Sequence, residues 1–293
     1  MTNGKKVGII CTFIATFCFS LKSIFAKVAY VGHMSPIIVL AWRSILALPL
    51  FLIPFIRLLY KKHDKDSIHN ILFYGVLGGL LYLSSSLCDF IGLTYINASI
   101  ERAVLFTFPI FVFFFSWKRE YKFPKKAFLF AIISQVGLII MLAPSINKPN
   151  WSNIISGVGF VFLSAILWAS FIVFSKKAVT KIGTALFTSS YMCITCFTFV
   201  IIALLFKSSE FGIWNNSFNE IWPIIALAIV CTIIPSYMTS YGIEKIGDQM
   251  TAIISGSGPI ITLWVDQLVF HHALHLNEII GSIIVAISIT YIA

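Results

Sequence analysis

Long apolar segments, each ended by a short polar break, make up most of this chain. Reading from break to break gives ten segments close to the roughly 20 residues that a helix needs to cross a bilayer. They are 7–29, 36–58, 70–90, 97–116, 125–144, 152–175, 184–206, 219–240, 248–270 and 275–293. The pattern predicts an all-α polytopic membrane protein with ten transmembrane helices.

The polar segment 145–152 divides these helices into two groups of five, which we predict to be repeats covering 1–146 and 147–293. Several identities recur 150 residues apart: Gly92/Gly242, Ile96/Ile246, Pro109/Pro259 and Ile110/Ile260. Because five is odd, the second repeat would enter the membrane from the opposite side. Inverted repeats with a site between them are a recurring transporter architecture. The paired prolines remove a backbone hydrogen bond each and predict hinges, although plain close packing explains them equally well.

The distribution of charge supports a membrane protein and fixes an expected orientation. Only 11% of the residues are charged and 59% are hydrophobic, whereas a soluble domain carries about 25% charged residues. The net charge of +10 comes from short clusters between the apolar segments, which argues against nucleic-acid binding. Of the 21 Lys and Arg residues, fifteen fall on the side of the N-terminus and three on the other. Both termini are therefore expected in the cytoplasm.

Six ionisable residues fall inside the apolar segments: Lys22, Arg43, Asp89, Glu101, Arg102 and Asp266. A charge at the bilayer centre costs at least about 2.5–3.5 kcal/mol, so such residues usually face a bundle interior or a water-filled path. With the expected topology all six belong to the outer half of the membrane. We expect them to line an outer vestibule, and a buried pair of Arg43 with Asp89 or Glu101, as a brace between helices or an outer gate, is one candidate arrangement. Snorkelling to the interface is the alternative for Lys22, Arg102 and Asp266.

Helical spacing adds polar and aromatic candidates to these charges. Tyr82, Ser86 and Asp89 share one stripe at i, i+4 and i+7, and Tyr237 and Tyr241 form an i, i+4 pair. Trp168 lies well inside its segment and offers a flat apolar wall with a polar edge. For each aromatic residue, packing remains the alternative. The candidates for substrate binding or gating are Lys22, Arg43, Tyr82, Asp89, Glu101, Arg102, Trp168, Tyr237, Tyr241 and Asp266, with Pro109 and Pro259 as hinges.

Residues spread along nearly the whole chain resemble the EamA-type branch of the drug/metabolite transporter superfamily. They are Phe19-Ser20-Leu21-Lys22, Trp42-Arg43, Gly92-x-x-x-x-Asn97-Ala98-Ser99, Phe108-Pro109, Trp168-Ala169, Gly242-x-x-x-x-Gly247, Pro259 and Gly281. Departures are His271-His272, where family members often carry Gly-Glu, and Phe19, where they often carry Trp. The resemblance implies a ten-helix metabolite carrier, commonly an exporter, in the cell (inner) membrane.

The expected function is a secondary carrier for a small polar or amphipathic metabolite such as an amino acid. A lipid flippase and a carrier for a nucleotide-like compound such as S-adenosylmethionine are the alternatives. The chain has no H-E-x-x-H, G-x-S-x-G or Walker A motif, so we expect no enzyme activity, cofactor or metal site. Protons are a candidate coupling ion through Asp89 or Glu101, because burial favours a protonated carboxyl. The other expected partners are the bilayer and the substrate, and the chain is expected to be a monomer or weak homodimer.

Overall fold

The computed structural model describes residues 3–31, 34–60, 65–117, 125–142, 151–206, 218–270 and 276–292, and these residues are almost entirely helical. The helices of the first half are α1 (Asn3–Ser20), α2 (Lys22–Val31), α3 (Pro36–Leu59), α4 (Lys65–Tyr95), α5 (Ala98–Leu105), α6 (Phe108–Trp117) and α7 (Lys125–Leu142). Those of the second half are α8 (Trp151–Ile182), α9 (Thr184–Phe206), α10 (Phe218–Ala228), α11 (Ile234–Ser255), α12 (Gly258–Phe270) and α13 (Leu276–Ile292). A π-helical turn (Ile229–Ile233) joins α10 to α11. The predicted boundary between 146 and 147 lies outside the described residues.

Six helical segments of the described chain are long and apolar enough to cross a membrane. Shorter apolar helices, which include α6, accompany them. Large apolar side chains such as Phe13, Leu72 and Leu205 are exposed on the surface of the long helices. An exposed apolar surface of this extent is unfavourable in water and favourable against lipid. The described helices therefore have the length and surface of an integral membrane protein.

Two helices are broken at positions that lie 150 residues apart in the chain. One break separates α5, which ends at Leu105, from α6, and the other separates α11, which ends at Ser255, from α12. Each helix ends four residues before a proline, Pro109 or Pro259. Proline has no N–H for the carbonyl four residues earlier, and its ring collides with that carbonyl. The segment 97–116, predicted as one continuous helix, is therefore two.

Tight turns precede both broken helices. Asn97 caps α5, since its side-chain Oδ1 accepts a hydrogen bond from the Ile100 N–H at 2.8 Å. At the corresponding place in the second half, Gly247 has φ +84°, which interrupts α11. Glycine adopts this left-handed conformation without the steric cost that a side chain would add. A sharp turn therefore divides α11 into two arms.

The two breaks meet each other and the junction of α1 with α2. A Cβ atom on Gly258 would lie 2.2 Å from the ring carbon Cζ of Phe106, so only glycine allows this approach. Ser20 Oγ donates a hydrogen bond to the Gly258 carbonyl at 3.1 Å, and Thr262 Oγ1 donates to the Ser20 carbonyl at 2.9 Å. Gln135 donates to the Phe106 carbonyl at 2.9 Å. Backbone groups released by the breaks thus find partners inside the protein, as they must in a bilayer.

We expect Gly258→Ala to destabilise the protein by about 1–3 kcal/mol, because overpacking forces Phe106 and its neighbours to move. The measurement is the thermal unfolding midpoint of the purified protein in detergent. Gly159→Ala is the matched control, since no atom lies within 4 Å of a Cβ at that position. If Phe106 is the cause, the loss disappears when Gly258→Ala is made in a Phe106→Ala background. An equal loss in both backgrounds would contradict the contact.

Candidate functional site

A cluster of buried charged side chains connects α2, α4 and α5. The Lys22 ammonium donates a hydrogen bond to Asp89 and forms an ion pair with it. The Arg102 Nε atom lies 3.0 Å from Glu101 Oε2, and its N–H donates to Ser23 Oγ, also at 3.0 Å. The carboxyls of Asp89 and Glu101 are neighbours within this cluster. Arg102 is only 2% exposed and Lys22 13%, so neither side chain snorkels out of the protein.

Arg43 lies beside this cluster without a carboxylate partner among the described residues, so the candidate pair with Asp89 or Glu101 is wrong. Its Nη2 atom is 3.3 Å from Ser86 Oγ, and its Nε and Nη1 atoms have no hydrogen-bond partner in the described chain. The guanidinium carbon lies 5.2 Å from the ring centre of Phe90. Phe199 presents a second ring at 6.0 Å. Aromatic faces attract this cation, but they do not neutralise its charge.

A cavity of about 50 Å³ lies between the charged cluster and the helix breaks. Fourteen residues line it: Thr16, Phe19, Lys22, Tyr82, Ser85, Ser86, Arg102, Leu105, Phe106, Phe108, Ser164, Trp168, Thr239 and Ser255. They come from both halves of the chain. Leu105, Phe106 and Ser255 belong to the breaks themselves. Among the described lining residues the charged ones are Lys22 and Arg102.

An aromatic wall bounds part of this cavity. The Trp168 ring packs edge-on against Phe19 at 5.7 Å and Tyr82 at 5.8 Å between ring centres. Phe171 stacks behind Trp168 at 5.1 Å and holds the indole in place. Beside this wall, the hydroxyls of Ser85 and Ser164 lie 3.0 Å apart and join α4 to α8. The cavity therefore has a cationic part, a hydroxyl part and an aromatic part.

The structure brings together some of the predicted site residues and separates others. Lys22, Tyr82, Arg102 and Trp168 line the cavity, whereas Asp89 and Glu101 pair with the two cations and are not among the lining residues. Arg43 contacts the lining residue Ser86. Tyr237 stacks on Phe51 at 5.5 Å, and Tyr241 faces Lys245, whose Nζ is 5.2 Å from its ring centre. Neither tyrosine is among the lining residues. Pro109 and Pro259 immediately follow the two breaks.

Part of the predicted site falls outside what the structure describes. Asp266 belongs to α12, but the structure does not describe its side chain. The role expected for Asp266 stays a prediction.

Sequence reasoning missed a second ion pair, between a buried carboxylate and a half-buried lysine. Asp248 is fully buried, accepts a hydrogen bond from Ser116 Oγ at 3.0 Å, and lies 3.0 Å from Lys176 Nζ. Lys245 lies three residues before Asp248 and packs beside Gly8, which precedes Lys22 by fourteen residues. A helix rises 1.5 Å per residue, so Gly8 is about 20 Å from Lys22 along the helix axis. The ion pair of Asp248 and Lys176 is therefore at about the same distance from the Lys22 cluster. The available signal was an acidic residue directly after a glycine turn, but an aspartate there is equally typical of a helix N-terminus.

Comparisons with known proteins agree with this architecture. The model of the EamA-like transporter family matches residues 6–143 and 155–293. The chain is 31% identical to the uncharacterized transporter YcbK of Bacillus subtilis, over 94% of this chain and 88% of that protein. It is 19% identical to the uncharacterized transporter sll1319 of Synechocystis, over 99% and 94% of the two chains. A crystal structure 14% identical in sequence superposes with a TM-score of 0.75, covering 97% and 95% of the two chains.

The buried pair of Lys22 and Asp89 predicts a specific pattern of stabilities. We expect Lys22→Met to lower the free energy of unfolding by about 3–5 kcal/mol, because it leaves a buried carboxylate without its cation. Lys22→Met combined with Asp89→Asn should recover most of this loss. The measurement is thermal unfolding of the purified variants in detergent. Lys245→Met is the matched control, since its pair with Glu244 is solvent-exposed and should contribute little. A double variant as unstable as Lys22→Met would contradict the pairing.

Proposed function

Because the chain belongs to the EamA-like transporter family, we propose that it is a secondary carrier for a small polar or amphipathic metabolite, such as an amino acid. It works by alternating access, as an exporter or exchanger in the cell (inner) membrane. The observation that carries this proposal is the cavity at the breaks of α5–α6 and α11–α12, with two buried cations in its wall. Broken helices at a polar cavity are the usual construction of carrier sites, because the freed backbone lies where it is not exposed to lipid.

The proposed carrier consists of two inverted five-helix repeats, with both termini in the cytoplasm. Two observations support the repeats: the helix breaks are 150 residues apart, and the family model matches one segment in each half. The contact between Phe106 and Gly258 then lies where the halves meet. Rocking of one half against the other about this contact would expose the cavity to each side in turn.

The substrate can enter only if the cavity widens. Its volume of about 50 Å³ holds only about four waters at roughly 10–15 Å³ each, whereas ligand pockets usually measure about 300–1,000 Å³. The ion pairs Lys22–Asp89 and Lys176–Asp248 lie at different depths along the helices and are the proposed gates. Protons are the proposed coupling ion, because Asp89 and Glu101 are adjacent and buried and share one cluster with Lys22.

The decisive experiment is transport by the purified chain in proteoliposomes. We expect saturable uptake of at least one of a panel of labelled amino acids, nucleobases and S-adenosylmethionine, increased by preloading with the same compound. Repeating the assay with and without a proton gradient tests coupling. Empty liposomes are the control. Movement of a fluorescent phospholipid between leaflets, with no uptake from the panel, would instead indicate a flippase.

Replacing Arg43 with a neutral residue should lower transport without lowering the stability of the protein. We expect Arg43→Gln to be as stable as the unmodified protein or more stable, because it removes a buried charge that has no carboxylate partner in the described chain. Transport should nevertheless fall at least about tenfold, a loss of about 1.4 kcal/mol in transition-state stabilisation. Arg43→Lys, which keeps the charge, should retain more transport than Arg43→Gln. Normal expression together with normal transport in Arg43→Gln would exclude Arg43 from the mechanism.

A further inference from the structure

We infer that the cavity binds the anionic group of an organic acid through Lys22 and Arg102, and that its aromatic wall holds the apolar part of the same molecule. This inference rests on the proposed function and names the substrate class of that site. An amino acid would qualify through its carboxylate, and its ammonium group would not be required.

The balance of buried charge is the first argument. The described side chains of the cluster and the adjacent Arg43 together are three cations, Lys22, Arg43 and Arg102, and two carboxylates, Asp89 and Glu101. With all five ionised, one positive charge is left without a carboxylate. A charge taken out of water carries a large free-energy cost unless an opposite charge compensates it. An anionic ligand would supply that compensation while it is bound.

The identity of the charged groups in the cavity wall is the second argument. Lys22 and Arg102 line the cavity, whereas their carboxylate partners Asp89 and Glu101 are not among the lining residues. Arg102 Nη2 is buried and has no hydrogen-bond partner among the described residues. Guanidinium and ammonium groups donate strong, charge-assisted hydrogen bonds to carboxylates and phosphates. A ligand in this cavity therefore meets cations, not carboxylates, among the described residues.

The aromatic side chains of the cavity wall restrict the chemistry of the uncharged part of the ligand. Phe19, Tyr82 and Trp168 form an aromatic face beside the cations, and Phe106 and Phe108 add two further rings. Such a face favours an apolar or aromatic body over a strongly hydrated one. Ser85 and Ser164 already bond to each other, so their hydroxyls are partly occupied. A small acid with an apolar body fits this combination better than an amine or a sugar.

Matched ligands that differ in one charged group test the inference. The first set is phenylalanine, its deaminated acid hydrocinnamate and its decarboxylated amine phenethylamine. The second set is leucine, isocaproate and isoamylamine. Binding to the purified full chain is measured as the ligand-dependent rise in thermal unfolding temperature, since a ligand that binds only the folded state stabilises it. We expect at least one acid to bind ten times more tightly than its amine, with the amino acid close to the acid.

Charge-neutral double variants test which residues bind the acid. Lys22→Gln with Asp89→Asn removes one cavity cation together with its partner, and Arg102→Gln with Glu101→Gln removes the other. Both keep the net charge of the cluster and leave no unpaired buried carboxylate. Each should weaken binding of the acid at least tenfold. Lys177→Gln, which removes an exposed lysine away from the cavity, is the control and should leave the affinity unchanged.

Each outcome separates this inference from the carrier proposal. Amines that bind as tightly as their acids, no binding by any acid, or acid binding unaffected by both double variants would each overturn the inference. Transport of an amine without transport of its acid would also overturn it and leave the carrier proposal intact. Acids that bind through Lys22 and Arg102 but are not exchanged in proteoliposomes would uphold the inference and contradict the carrier proposal.

Discussion

A charge that is buried in a membrane protein is costly unless an opposite charge compensates it, and the pairs of charged residues in the first half of this chain are arranged around that cost. Lys22 and Asp89 connect α2 to α4, and Arg102 and Ser23 connect α5 to α2. Because separating any of these groups would expose a bare charge to lipid or to the core, the pairs hold three helices in one arrangement. Arg43 adds a further cation that aromatic rings attract but do not neutralise.

The helix breaks form one side of the cavity, and the charged cluster forms another. Pro109 and Pro259 end α5 and α11 four residues earlier, and the freed backbone groups pack against each other across the middle of the bundle. Gly258 allows Phe106 to approach, and Ser20 and Gln135 satisfy carbonyls at the breaks. Two requirements are thereby met in one place, since both the polar backbone and the charged side chains avoid lipid.

The residues that line the candidate cavity could be predicted in part. Lys22 and Arg102 are cations inside apolar segments, Tyr82 belongs to a polar stripe at helical spacing, and Trp168 is an aromatic residue well inside its segment. Each of these signals is visible in one segment alone. The partner of each charge was not visible, and the suggested pair of Arg43 with a carboxylate is absent, because partners are chosen by the relative rotation and depth of different helices. Asp248 was missed for a related reason. An aspartate after a glycine turn has the same local pattern whether it caps a helix or forms an ion pair with Lys176.

The sequence by itself determined the class of the protein, the glycine at one turn and the prolines that follow two of the helix breaks. These are local properties, since hydrophobicity over about 20 residues, a glycine turn and a proline act within a few turns of one chain segment. Only the tertiary structure decided that two helices break at these prolines, which cations line the cavity and which carboxylates pair with them. That choice depends on contacts between residues far apart in the chain, such as Lys22 with Asp89 and Phe106 with Gly258, and no local pattern encodes the distance between them.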